Sequence, residues 1–239
     1  MFLYEDKGSF IHRLDPSVKL ISLLLLFCQP LLSSDPLYLL GSVATAFLLG
    51  LVGNSLPVFF RMKSLLISLF LASTVLWSIF HHGDGYTERL LHGVAMGLRI
   101  CSLIMFGIVF LATTRVEETV FGLERLGLPY RVGFVLSMAI RLLPTFSSTG
   151  SEIVEAQRAR GYDPFSGGLI SRIRKSIPLI APIFLYALRR ADQISIALEV
   201  RGFGSKKRTR YLEGKIRAAD IFSLLAVIAF LALSFMARR

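Results

Sequence analysis

Two stretches of the chain, "EAQRARGYD" at 155–163 and "IALEVRGFG" at 196–204, align at a separation of 41 residues. Ala156 falls over Ala197, Arg160 over Arg201, Gly161 over Gly202 and Tyr162 over Phe203, and the match runs back to Ile153 over Ile194. A basic residue followed by glycine is an ordinary helix stop, the cation complementing the helix dipole and the glycine supplying a left-handed C-cap. A stop signal needs no agreement on alanine, isoleucine and a following aromatic. The arrangement therefore predicts two arginines at the tips of two helices, each beside a small or β-branched residue (Ala159, Val200) and a glycine, narrow enough to enter a groove. The planar guanidinium fork suits carboxylates and carbonyls of a partner. Two equivalent plugs imply two equivalent sockets, as a dimeric or pseudo-dimeric partner would offer.

Other chemistry is thinly represented. No GxxxxGK[ST] occurs, and "GFGSKK" at 202–207 has the wrong spacing for a phosphate loop. HExxH and GxSxG are absent. His81, His82, Asp84 and His92 gather in one Gly-rich loop and are read as loop residues before they are read as a metal site. His12 reads as a structural interface residue. Cys28 and Cys101 sit in apolar runs without metal spacing and read as small buried hydrophobes.

The elements that must position the arginines belong to a bilayer. The 239 residues are 54% apolar and only 18% charged, with several uncharged runs near the roughly 20 residues needed to span hydrocarbon. Spans are expected at 18–34, 36–53, 64–80, 94–114 and about 219–236, the first two joined by the "SSDP" turn and the first retained rather than cleaved. Arg99, near the start of the fourth, must snorkel or face protein. The net charge of +11 suggests nucleic acid until the charges are placed. Segment 115–217 holds 18 of the 27 Lys and Arg, which is the positive-inside pattern and not a nucleic-acid surface. That segment and the N-terminus are expected in the cytoplasm, with the C-terminus outside.

Within 115–217, "TRVE" at 114–117 reads as a capping box that opens a short helix running to the "GLP" break at 127–129. Long helices follow over about 130–160 and 171–201. Their apolar runs, 132–145 and 177–188, are short for spans; Arg141 interrupts the first, and Pro178 and Pro182 break the second. Both helices are therefore expected along the inner membrane face or under the bundle, with two further membrane spans as the alternative. The fold class is all-α: a polytopic membrane protein with about five transmembrane helices and a cytoplasmic coupling region of long helices. The divisions are 1–114, a membrane region of four helices; 115–217, the coupling region; and 218–239, the last span.

Five segments, in order, carry a family resemblance: "HRLDPSVKL" at 12–20, "GLERLGLP" at 122–129, "IRLLPTF" at 140–146, "AQRARGYD" at 156–163 and "ALRRADQISIALEVRGFG" at 187–204. Together the chain resembles the transmembrane T component of energy-coupling factor (ECF) ABC transporters, the cobalt transport membrane protein family, from about residue 9 to 217. "RLDP" also makes local sense, with Asp15 as N-cap and Pro16 at the first helical position. "EVRG" at 199–202 departs from the family's usual Ala-Arg-Gly. The resemblance implies two ATP-binding cassette subunits at the cytoplasmic face of the cell membrane, one receiving Ala159, Arg160 and Gly161, the other Val200, Arg201 and Gly202. It also implies a separate membrane S component that captures a vitamin or a metal ion such as cobalt or nickel. This chain would then be a transducer, with no catalytic or metal-binding residue and no cofactor of its own, ATP lying on the partners. A self-contained secondary transporter and, behind it, an intramembrane enzyme are the competing readings; both call for polar or ionisable groups at membrane depth, which the spans scarcely offer.

Overall fold

A computed structural model describes residues 9–32, 34–80, 85–162, 168–204 and 218–236. All regular elements among them are helical. After a 3-10 turn at Phe10–Arg13 come α1 (Pro16–Leu32), α2 (Pro36–Val52), α3 (Leu56–Arg61), α4 (Lys63–Phe80), α5 (Tyr86–Thr113), α6 (Val116–Arg125), α7 (Tyr130–Ala159), α8 (Leu169–Val200) and α9 (Ala218–Met236). Four of the five expected spans, α1, α2, α4 and α9, start within two residues of their sequence positions. The fifth, α5, begins at Tyr86 and not at 94, because Glu88, Arg89 and His92 lower the hydropathy of its first turns without breaking the helix.

The chain divides into two compact units, one of Met1–Gly133 with Gly214–Arg239 and one of Phe134–Glu213. In the first, α5 is the central helix, packed by α1, α2, α3 and α4, and its Met105, Phe106, Ile108, Val109 and Ala112 form the core with Leu26, Ala46, Val58 and Phe59. Val58 and Phe59 come from α3, which the sequence reading leaves as a loop. Three consecutive apolar residues after a Ser-Leu-Pro start are enough to fold one short helix onto the core. Residues 115–133 fall in this unit and not with the coupling helices, because α6 packs on α1.

By length and composition, α4, α5 and α7 are long and apolar enough to cross a membrane, and α1, α2 and α9 are shorter apolar helices. Helix α7, expected to lie along the membrane face, is thus long and apolar enough to cross it by length and composition, since Arg141 alone does not offset the surrounding residues. Helix α8 runs unbroken through Pro178 and Pro182, so these prolines interrupt its hydrogen bonding without ending it. Cys28 is exposed on α1 and Cys101 is half-buried, so neither fills the core as the sequence suggests. Arg99 faces protein: its Nε donates to the Pro30 carbonyl (2.9 Å) and its Nη2 to the Ser34 hydroxyl (3.1 Å). The Pro30 carbonyl is one of the last four of α1, which have no acceptor role within the helix, so Arg99 satisfies a group that hydrocarbon would leave bare.

Candidate functional site

The repeated phrases end α7 and α8 with the same backbone. At the first, the Gly161 N–H donates to the Arg158 carbonyl (2.9 Å) and the Tyr162 N–H to the Gln157 carbonyl (3.0 Å). At the second, the Gly202 N–H donates to Glu199 (2.9 Å) and the Phe203 N–H to Leu198 (2.9 Å). Both are Schellman caps, closed by a glycine at positive φ, +83° at Gly161 and +71° at Gly202. A side chain with a Cβ would strain either position. The predicted C-cap role of the glycines is thus observed at both helix ends.

The phrases also share a face. Ile153 and Gln157 are half-buried in the first, as are their counterparts Ile194 and Leu198 in the second. Four-residue spacing puts each pair on one stripe, which leaves Ala156, Ala159 and Arg160, and likewise Ala197, Val200 and Arg201, outward and exposed. Among the described residues neither Arg160 nor Arg201 has an ion pair or hydrogen bond through its guanidinium. The aromatic after each glycine ties its tip to the opposite helix. Tyr162 donates its hydroxyl proton to the Lys175 carbonyl of α8 (2.6 Å), and the Phe203 ring lies against Phe134 of α7 with centroids 4.5 Å apart. Midway, Phe146 meets Tyr186 edge to face at 5.8 Å.

Two other sequence motifs dock on each other in the first unit. Asp15 caps α1 as expected, its Oδ1 accepting the Ser17 N–H at 3.0 Å. Its Oδ2 forms an ion pair with Nη1 of Arg125 in "GLERLGLP". The Ser17 hydroxyl reaches the Gly122 carbonyl (3.5 Å), and a Cβ on Gly122 would stand 2.8 Å from Leu20 and 3.1 Å from the Pro16 backbone. Gly122 is what allows α6 to lie so close to α1. The Asp15 N–H donates to Oδ1 of Asp220 on α9 at 2.8 Å. Nζ of the buried Lys19 donates to the carbonyls of His12 and Thr113, both at 3.0 Å. None of these partners of Asp15 is visible from local sequence, since Arg125 is 110 residues away and Asp220 is 205 away.

The expected capping box of Thr114 and Glu117 does not form; only its acidic half appears, one residue later, with no side-chain cap from residue 115. Arg115 is the N-cap of α6, and its N–H donates to Glu118 (3.4 Å). Thr114 is buried, and its hydroxyl has no partner among the described residues. Glu117 and Glu118 are adjacent, and because the helix starts one residue later than "TRVE" implies, it is Glu118 that reaches back to the N-cap N–H.

No group of three potential metal ligands occurs among the described residues. His81, His82 and Asp84 lie outside those residues, and His92 packs edge to face on Trp77 at 5.9 Å. An apolar cavity of roughly 470 Å³ lies between α1, α2, α5 and α9. Lys19 is the one charged residue among those lining it, and its ammonium already serves two backbone carbonyls.

These motifs fall within a single family. Residues 7–211 match the cobalt transport protein family, CbiQ, and the chain belongs to it. It is similar along nearly its whole length to proteins named energy-coupling factor transporter transmembrane protein EcfT. Identity is 32% to the one from Streptococcus thermophilus, covering 95% of this chain and 93% of the relative. It is 30% to that of Staphylococcus aureus, over 94% and 91%, and 30% to that of Bacillus subtilis, over 98% and 96%. A membrane transport protein is therefore the class to which the helices and motifs belong.

Proposed function

We propose that this chain is the transmembrane T component of an ECF-type ABC importer, a transducer and not an enzyme. Two cytoplasmic ATP-binding subunits each take one helix tip: Ala159, Arg160 and Gly161 in one groove, Val200, Arg201 and Gly202 in the other. ATP binds and is hydrolysed on those subunits. Their closure moves α7 and α8, and the movement reaches a separate membrane S component that holds a vitamin or a transition-metal ion. The observation that carries this reading is the identity of the two Schellman caps together with the outward arginines, since unrelated helix stops have no reason to agree in exposed face as well as in backbone.

The relatives named EcfT support the assignment, as does the charge of α8. Ile177, Ile180, Phe184 and Leu188 make an exposed apolar stripe on one side of α8, while Arg172, Lys175, Arg189 and Arg190 lie round the helix from it. A helix of that pattern lies in an interface and does not cross hydrocarbon. Because α7 is tied to α8 at both tips and at mid-length, the pair is read as a coupling layer at the cytoplasmic face of the cell membrane. A secondary transporter would need ionisable groups at the midplane. Arg99 is already engaged with α1 and is poorly placed for that work.

Cross-linking tests the assignment. In a background with Cys28→Ser and Cys101→Ser, a cysteine at Ala159 should cross-link to one co-expressed ATPase subunit and a cysteine at Val200 to the other. A cysteine at Leu37, on the opposite membrane side in this topology, should link to neither. Absence of both tip adducts from an assembled complex would overturn the docking assignment.

A further inference from the structure

The chain leaves the membrane unit after α6 and rejoins it at α9, and both of these helices are bound to one residue, Asp15. Asp15 binds Arg125 at the end of α6 through its carboxylate, and Asp220 in the first turn of α9 through its own backbone N–H. The same turn of α1 also holds α5, where Lys19 donates to the last carbonyl of that helix at Thr113, and α6 again, where Ser17 meets Gly122. The cluster is buried: Asp15 is 8% exposed, Lys19 6% and Asp220 1%. Two carboxylates and the Lys19 ammonium are removed from water here, while the Arg125 side chain stays 30% exposed, an arrangement that an apolar core of the same size would usually match in stability. A buried charge cluster fixes geometry more than it adds stability, and here it fixes to α1 the end of α5 and the two helices, α6 and α9, that flank the coupling unit in sequence.

We propose that Asp15 is a positioning residue for energy coupling: it pins to α1 the end of α6 and the first turn of α9, the helices that flank the coupling unit in sequence, so that displacement of α7 and α8 is delivered to the membrane helices. This rests on the T-component reading above. Arg125 and Asp220 act with it.

The test uses the whole complex, purified with its ATPase and S subunits and reconstituted in liposomes, with ATP hydrolysis and substrate uptake measured on the same preparation. Asp15→Asn keeps an oxygen for the Ser17 N–H and removes the charge facing Arg125. Arg125→Gln alters the more exposed partner and spares the buried one. In both variants the complex should assemble with wild-type stoichiometry and hydrolyse ATP within about twofold of wild type, while uptake per ATP falls about tenfold, a typical size for loss of coupling between sites. Arg125→Lys, which keeps the charge, should restore much of that ratio. An unchanged ratio in both Asp15→Asn and Arg125→Gln overturns the proposal, and so does a parallel loss of ATPase and uptake, which marks a purely structural cluster. If Asp15→Asn fails to assemble, Arg125→Gln alone decides. A wild-type complex lacking ATPase subunits would instead sink the T-component reading itself.

Discussion

Arg160 and Arg201 hold the same position in two helix ends that match in hydrogen bonding, in the sign of φ at the next residue and in the stripe turned inward. The equivalence has a measurable consequence. Gly161→Ala and Gly202→Ala each place a Cβ at positive φ, at a cost of about 1–2 kcal/mol, and should perturb the tips equally. Titration of purified ATPase subunits onto each variant should show weaker docking of comparable size, with membrane insertion unchanged. A large effect at one glycine and none at the other would mean that the tips are not equivalent.

Tyr162 tests how firmly the first tip is held. Tyr162→Phe keeps the ring and removes the hydrogen bond to the Lys175 carbonyl, a loss of about 1 kcal/mol or somewhat more for an acceptor left without a partner. Amide exchange at 157–162 should quicken several-fold, while exchange at the 198–203 tip, anchored instead by Phe203 on Phe134, stays at the wild-type rate.

Arg99 should matter for stability and not for coupling. Arg99→Met removes the donors to Pro30 and Ser34 and should lower the thermal midpoint of the detergent-solubilised protein, reflecting about 1–3 kcal/mol for hydrogen bonds made by a charged group. Arg99→Lys should recover part of it. A rise in midpoint for the methionine variant would show that desolvating the guanidinium outweighs its bonds.

Much of this architecture is legible in sequence because local rules govern it. Asp15-Pro16 announces the start of α1, and Arg-Gly-aromatic announces the ends of α7 and α8, each through capping chemistry confined to a few residues. Register slips by one residue at α6, where Glu118 and not Glu117 reaches back to the N-cap N–H. Helix α3 escapes because six residues carry too little periodicity to register, although burial of Val58 and Phe59 makes the helix worthwhile in three dimensions. Prolines 178 and 182 lie inside the helix expected over 171–201, and α8 runs through both, since a 32-residue helix absorbs the hydrogen bonds they remove. The pairing of Asp15 with Arg125 and Asp220 has no local signature at all. It follows from the packing of α1 against α6 and α9, which the hydropathy of each segment does not encode.

The most direct test of the central claim is co-purification of a tagged chain from detergent after co-expression with the ATPase subunits, comparing wild type with Arg160→Glu/Arg201→Glu. Reversing the charge in a buried groove forfeits a charge-assisted bond and leaves its partner unpaired, at about 2–5 kcal/mol per tip. Wild type should recover both ATPase subunits, each single variant should retain them less tightly, and the double variant should insert in the membrane and recover none. Equal recovery with wild type and the double variant would contradict the docking role and return the two Arg-Gly ends to simple helix stops.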